Sequence, residues 1–117
     1  MTESNADNVS SLEYHVLLAM AEGPLYGYAI KRAVETESAG ALTPRAGSMY
    51  RVLARLITSG LVTETDSPEP ASPHPGRARK YYGLTEPGRQ VLAAEARRLA
   101  DVAELAEGRL GMVRGRP

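Results

Sequence analysis

Apolar positions recur through most of the chain at three- and four-residue spacing, and the clearest stripe lies in residues 44–59. There Met49, Val52, Leu53, Leu56 and Ile57 fall on one side of a 3.6-residue period, while Ser48, Arg51, Arg55 and Thr58 fall on the other. The pattern predicts a helix with Thr43 as N-cap, Pro44 at the first helical position where a missing N–H costs nothing, and Gly60 as its stop. Upstream, Ser10 and Glu13 stand at capping-box spacing, and Val9, Leu12, Val16 and Met20 follow at helical intervals until Gly23-Pro24. Leu25-Tyr26-Gly27 is expected to turn the chain into a second helix over Gly27 to Glu37. Its stripe of Ile30, Ala33 and Val34 faces inward, Lys31, Arg32 and Glu35 face outward, and Ser38-Ala39-Gly40 closes it.

After Gly60 the period shifts toward two. Leu61 to Thr65 are mostly strand-favouring, and a partner strand is expected over Arg79 to Leu84. Between them stand Pro68, Pro70, Pro73 and Pro75, which cannot donate to a ladder, so the connection reads as a long exposed hairpin tip. Alternation puts Tyr82 and Leu84 on the core side and Arg79 and Tyr81 on the other; a one-residue slip would reverse this. Thr85 is positioned to cap an alanine-rich last helix reaching about Gly108, with Leu92, Leu99, Val102, Ala106 and Leu110 near heptad spacing. The small domain before it has little surface to cover that seam, so a second copy of the chain is the simplest cover, with Leu12 and Val16 of the first helix joining the expected interface.

The expected fold is therefore mainly α with a small β-hairpin, a winged helix-turn-helix with an appended C-terminal dimerisation helix. Its parts are a disordered N-terminus over 1–8, the winged helix-turn-helix over 9–84 with a wing tip at 66–78, the dimerisation helix over 85–110, and a tail over 111–117. A chain of 117 residues has room for one modest core, and 43% hydrophobic with 24% charged residues is an ordinary globular composition. The longest apolar run, Val16 to Ala21, is far too short to span a membrane, and the polar, acidic start lacks signal-peptide character, so a cytoplasmic protein with no membrane partner is expected.

Charge matters here through its distribution, because the total is zero. Residues 1–30 hold four acids and no lysine or arginine, whereas 44–60 (Arg45, Arg51, Arg55) and 76–80 (Arg77, Arg79, Lys80) carry bases alone. A local basic face can bind an anion on a neutral protein. Arg51 and Arg55 lack acidic partners one turn away; a preceding short helix could support their helix in a major groove, and the basic wing could reach the backbone. The competing readings are an ordinary solvated helix face, or a winged-helix protein-interaction module that binds no DNA. Catalysis finds no support. Cysteine is absent, the only histidines are His15 and His74, and neither stands in a triad, a metal-ligand set or a phosphate-cradling motif, so neither an enzyme nor a cofactor or metal site is expected.

Three motifs carry a family resemblance. Gly23-Pro24-Leu25-Tyr26-Gly27-Tyr28, then Gly47-Ser48-Met49-Tyr50 opening a helix that ends in Ser59-Gly60-Leu61-Val62, then Gly76-Arg77-Ala78-Arg79-Lys80-Tyr81-Tyr82-Gly83-Leu84-Thr85 with Pro87-Gly88 beyond, resemble the PadR family of bacterial winged-helix transcriptional regulators over about Leu12 to Gly108. The resemblance implies a homodimer on double-stranded DNA at an inverted-repeat operator, usually a repressor released by a small-molecule effector. The short single C-terminal helix looks like the smaller subgroup. Ser48 and Tyr50 match positions at the amino end of the recognition helix that approach DNA, Arg77, Arg79 and Lys80 match the wing, and Tyr26 matches a position near phosphate. With Arg45, Arg51 and Arg55 these form the expected DNA-binding set, set against a packing role for Tyr26 and Tyr50 and a favoured packing role for Tyr82. Two positions depart from the family pattern: Arg51 stands where proline often follows the tyrosine, and Ala78 where the wing often reads Gly-Arg-Pro-Arg-Lys. Nothing in the sequence identifies effector-binding residues.

Overall fold

A computed structural model describes residues 9–66 and 80–112. The expected disordered N-terminus, most of the wing tip including Arg77, the first residue of the expected return strand, Arg79, and most of the tail lie outside the described residues.

A reciprocal capping box opens the first helix. Ser10 Oγ accepts from the Glu13 N–H at 3.1 Å and Glu13 Oε1 accepts from the Ser10 N–H at 2.8 Å, so α1 (Ser11–Ala19) starts where the spacing placed it. The next segment differs from expectation. Leu25–Tyr26 form a short strand, β1, before α2 (Gly27–Glu37) begins. It pairs antiparallel with β3 (Tyr81–Leu84), which also pairs with β2 (Val62–Thr65), so the expected hairpin is two strands of a three-stranded sheet ordered β1-β3-β2. On α2, Ile30 and Val34 are buried, and Lys31 is paired with Glu35 one turn on at 2.7 Å.

The central position of β3 explains a second difference. Tyr82 joins the core as expected, but Tyr81, expected outward, is also buried. Register places Tyr26 opposite Tyr81, and the two rings meet edge-on at 5.7 Å between centroids, covering the face away from the core.

The third helix, α3 (Ala46–Thr58), begins later than predicted. Arg45 is its N-cap residue in place of Thr43 and makes no side-chain cap bond, while the Met49 N–H closes the first turn on the Arg45 carbonyl at 3.0 Å. The Leu42 N–H is held by Ser38 Oγ at 2.9 Å, and the residues after it bridge from that anchor to α3, which keeps Thr43 and Pro44 outside the helix. The far end agrees with the prediction. Gly60 takes a left-handed φ of 81°, its N–H reaches the Ile57 carbonyl and the Leu61 N–H reaches Leu56, the paired bonds of a Schellman turn.

The core gathers Val16 and Leu17 from α1 and Met20 from its C-cap, Ile30 and Val34 from α2, Met49, Val52, Leu53 and Leu56 from α3, and Val62 and Tyr82 from the sheet. The last helix, α4 (Glu86–Arg109), is clamped to the end of α3. Thr85 Oγ1 accepts from the Gly88 N–H at 3.0 Å and donates to the Gly60 carbonyl at 2.6 Å, and the Thr85 N–H donates to Leu61 O at 3.1 Å. Arg89 Nη1 reaches the Ala21 carbonyl at 3.2 Å, and Val91 and Leu92 pack on the core. Glu95 is buried in a bidentate pair with Arg98, at 3.0 and 2.5 Å, which holds its carboxyl below the ordinary range. From Arg97 onward only Glu107 is half-buried and the other described residues are exposed, so α4 leaves the domain.

Gly88 packs against the Leu61 carbonyl so closely that a Cβ would overlap it. Gly88→Ala is expected to cost about 1–3 kcal/mol by overpacking and to lower the thermal midpoint by roughly 4 °C or more. An unaltered melt followed by circular dichroism would show that α4 is not seated on Leu61.

Candidate nucleic-acid interface

The buried stripe of α3 leaves a definite outer face. Arg45, Arg51, Arg55 and Thr58 are exposed, Ser48 is half-buried, and Tyr50 is 45% exposed. Among the described residues Arg45 and Arg51 have no ion-pair partner. Arg55 differs. Its Nε donates to Glu13 Oε2 on α1 at 3.2 Å, so the acidic partner missing one turn away along the sequence is supplied from 42 residues upstream.

The start of α2 approaches this face. The Tyr50 phenol lies over Gly27, where a Cβ would overlap its hydroxyl, so any side chain at 27 would oblige Tyr50 to move. Tyr26, Gly27, Tyr28, Tyr50, Lys80 and Tyr82 line an open groove of about 620 Å³. Tyr26 is the N-cap residue of α2 but provides no side-chain cap bond, and the positive end of that helix borders the groove. Burial, with Glu64 and Tyr50 alongside, pushes the Tyr82 phenol above its ordinary range. Lys80 sits 3.8 Å from Glu64, an exposed pair that contributes little to stability.

The expected anion-facing residues therefore divide. Tyr50 and Lys80 share the groove with Tyr26, whose ring also packs on Tyr81; Ser48, Arg45, Arg51 and Arg55 lie on or beside α3. Tyr28, 58% exposed with the Arg32 guanidinium 6.0 Å above its ring, lines the groove and was not anticipated; its place next to the start of α2 was the available signal.

The expected interface between copies is corrected in part. Val16 is wholly enclosed within its own protomer and has no surface to offer, while Leu12 and Leu92 pack against the core. Leu99, Val102 and Leu110 are 38%, 50% and 73% exposed and Ala106 is exposed. Leu105 and Met112, absent from the expected seam, extend the apolar surface of the free half of α4 and of the turn at its end. Among the described residues no helix is long and apolar enough to cross a membrane, and no group of three or more His, Asp or Glu could hold a metal ion.

Comparison with known proteins gives this geometry a context. Residues 16–94 match the family described as "Transcriptional regulator PadR-like family". Over 85 residues, 73% of its length, the chain is 42% identical to a 37.1 kDa protein in a transposon, TN4556, of Streptomyces fradiae, and it spans only 22% of that relative. Its fold is similar to a PadR family transcription regulator from hypervirulent Clostridium difficile, with a TM-score of 0.70 at 23% identity over 86% of this chain and 99% of that one. It is also similar to Bacillus subtilis PadR in complex with operator DNA, with a TM-score of 0.62 at 24% identity over 76% of this chain and 48% of that one. At these identities the two structures establish the winged helix-turn-helix fold. The family match runs from Val16 to Ala94 and takes in the sheet, α2, α3 and the α4 clamp, so the chain belongs to the PadR-like family of transcriptional regulators.

Proposed function

We propose that this chain is a DNA-binding transcriptional regulator that recognises an inverted-repeat operator as a homodimer. The observation that carries the reading is the outer face of α3, where the exposed Arg45 and Arg51 stand without ion-pair partners among the described residues and Tyr50, next to Arg51 in the chain, lines the tyrosine-rich groove. The operator complex of the Bacillus subtilis relative supports it. Each protomer would place the first turns of α3 in a major groove, with the two copies about one helical turn apart. Ser48, Tyr50 and Arg51 then face base edges. Arg45, Lys80 and the wing arginines Arg77 and Arg79 meet phosphates, and Tyr26 stands at the start of α2, where a helix dipole favours an anion.

The homodimer rests on the free half of α4, whose Leu99, Val102, Ala106 and Leu110 are exposed in the isolated protomer. The family resemblance implies repression relieved by a small-molecule effector, and that role belongs in the cytoplasm. A winged-helix protein-interaction module is the second reading. It is favoured by the neutral total charge and by the pairing of Arg55 and Lys80 with Glu13 and Glu64.

Selection of bound duplexes from a random pool decides between the two: an inverted repeat is expected, and failure to capture any duplex at low salt selects the interaction module. On the selected duplex, Arg51→Ala is expected to lower affinity by the equivalent of about 1–3 kcal/mol if it reads a base, with an unchanged thermal midpoint; equal affinity removes Arg51 from the interface. Leu99→Glu should turn dimers into monomers in light scattering, and an intact dimer places the interface elsewhere.

A further inference from the structure

We propose that Glu13 is a positioning residue for Arg55, holding its guanidinium so that the two Nη groups address a DNA phosphate, a role that rests on the DNA-binding reading above. The Glu13 carboxylate is engaged at both oxygens. Oε1 accepts from the Ser10 N–H at 2.8 Å within the capping box and Oε2 accepts from Arg55 Nε at 3.2 Å. The Glu13 N–H is itself tied to Ser10 Oγ, so the first turn of α1 fixes where the carboxylate points.

The exposures of the two partners differ in the sense the role needs. The Glu13 side chain is 18% exposed and the Arg55 side chain 58%, so the acid is largely shielded from solvent while the arginine stands open to it. A guanidinium carries five donor hydrogens, and only the one on Nε is used by Glu13. Of the remaining four, one on each Nη lies along the end of the fork away from Nε, a pair that suits two phosphate oxygens. Arg51 and Arg55 lie one turn apart on the same face of α3, but Arg51 has no ion-pair partner among the described residues. That face thus combines one arginine left to adapt with one already oriented, and an oriented side chain has less rotamer freedom to lose on binding.

The alternative assigns Glu13 the opposite effect, a negative charge that opposes DNA. The two are separated by a double-mutant cycle in the full chain, using the selected duplex and the variants Glu13→Gln, Arg55→Ala and the two combined. Glutamine keeps an oxygen for the Ser10 N–H but offers Arg55 no carboxylate. Arg55→Ala is expected to weaken binding about tenfold, the size of one charge-assisted hydrogen bond. Glu13→Gln should weaken it severalfold although it removes a negative charge, and the double variant should be no weaker than Arg55→Ala alone. Plots of log affinity against log salt should lose about 0.9 in slope with Arg55→Ala and part of that with Glu13→Gln, a readout that a merely structural role would not move.

Val34→Ala serves as the control, lowering the thermal midpoint through a cavity in the core, away from Glu13 and Arg55, while leaving affinity and salt slope unchanged. Tighter or equal binding by Glu13→Gln, multiplicative losses in the cycle, or an equal loss of affinity in Val34→Ala each overturns the positioning role. A wild-type chain that binds no duplex overturns the DNA-binding reading and this role with it, whereas the other outcomes leave that reading standing.

Discussion

Burial of Met49, Val52, Leu53 and Leu56 fixes the rotation of α3 about its own axis, because turning the helix by one residue's angular step would expose part of that stripe and carry charged positions toward the core. Each such side chain contributes about 1.5–3 kcal/mol on burial, far more than an exposed ion pair can return. The orientation of Arg51, Arg55 and Tyr50 is therefore a consequence of the apolar contacts behind them. α1 and α2 complete those contacts, and the Schellman turn at Gly60 then delivers the chain directly into Leu61 and β2.

Local chemistry carried most of the architecture into the sequence. Ser10 and Glu13, Gly60, and Thr85 act within a few residues of themselves, and each does in the structure what its spacing indicated. The features that spacing does not reveal depend on tertiary neighbours. β1 has two residues, too few to show a period, and it is a strand only because β3 lies beside it. Tyr81 is buried by Tyr26, which no alternation pattern encodes. Apolar residues run continuously from Val16 in α1 to Ala21 just beyond it, so periodicity could not tell which side meets the core, and the surface expected at Val16 does not exist. Of the candidate site, the α3 face and Lys80 were legible, while Tyr28 and the pairing of Arg55 with Glu13 were not.

Charge on this molecule is organised by position more than by amount. Equal numbers of acidic and basic residues would suggest indifference to a polyanion, yet the acids nearest the basic face are partly occupied, Glu13 by Arg55 and Glu64 by Lys80. Pairing lowers the net charge around two of the cations, even where it orients one of them as at Arg55, and leaves Arg45 and Arg51 as the least compensated charges on the described part of that face. In a protein of this design, attraction at long range stays weak and discrimination falls to a few close contacts.

The clamp formed by Thr85, Gly88 and Leu61 also makes α4 a lever. Its fulcrum is the last turn of α3, and the helical part beyond the domain, Arg97 to Arg109, is about 20 Å long at 1.5 Å per residue. A tilt of about ten degrees at the clamp moves the far end by roughly 3.5 Å over that length. If two such arms are held together in a dimer, their crossing angle sets the separation of the two α3 helices, and a change of packing far from the α3 face is enough to bring them into or out of step with successive turns of a duplex.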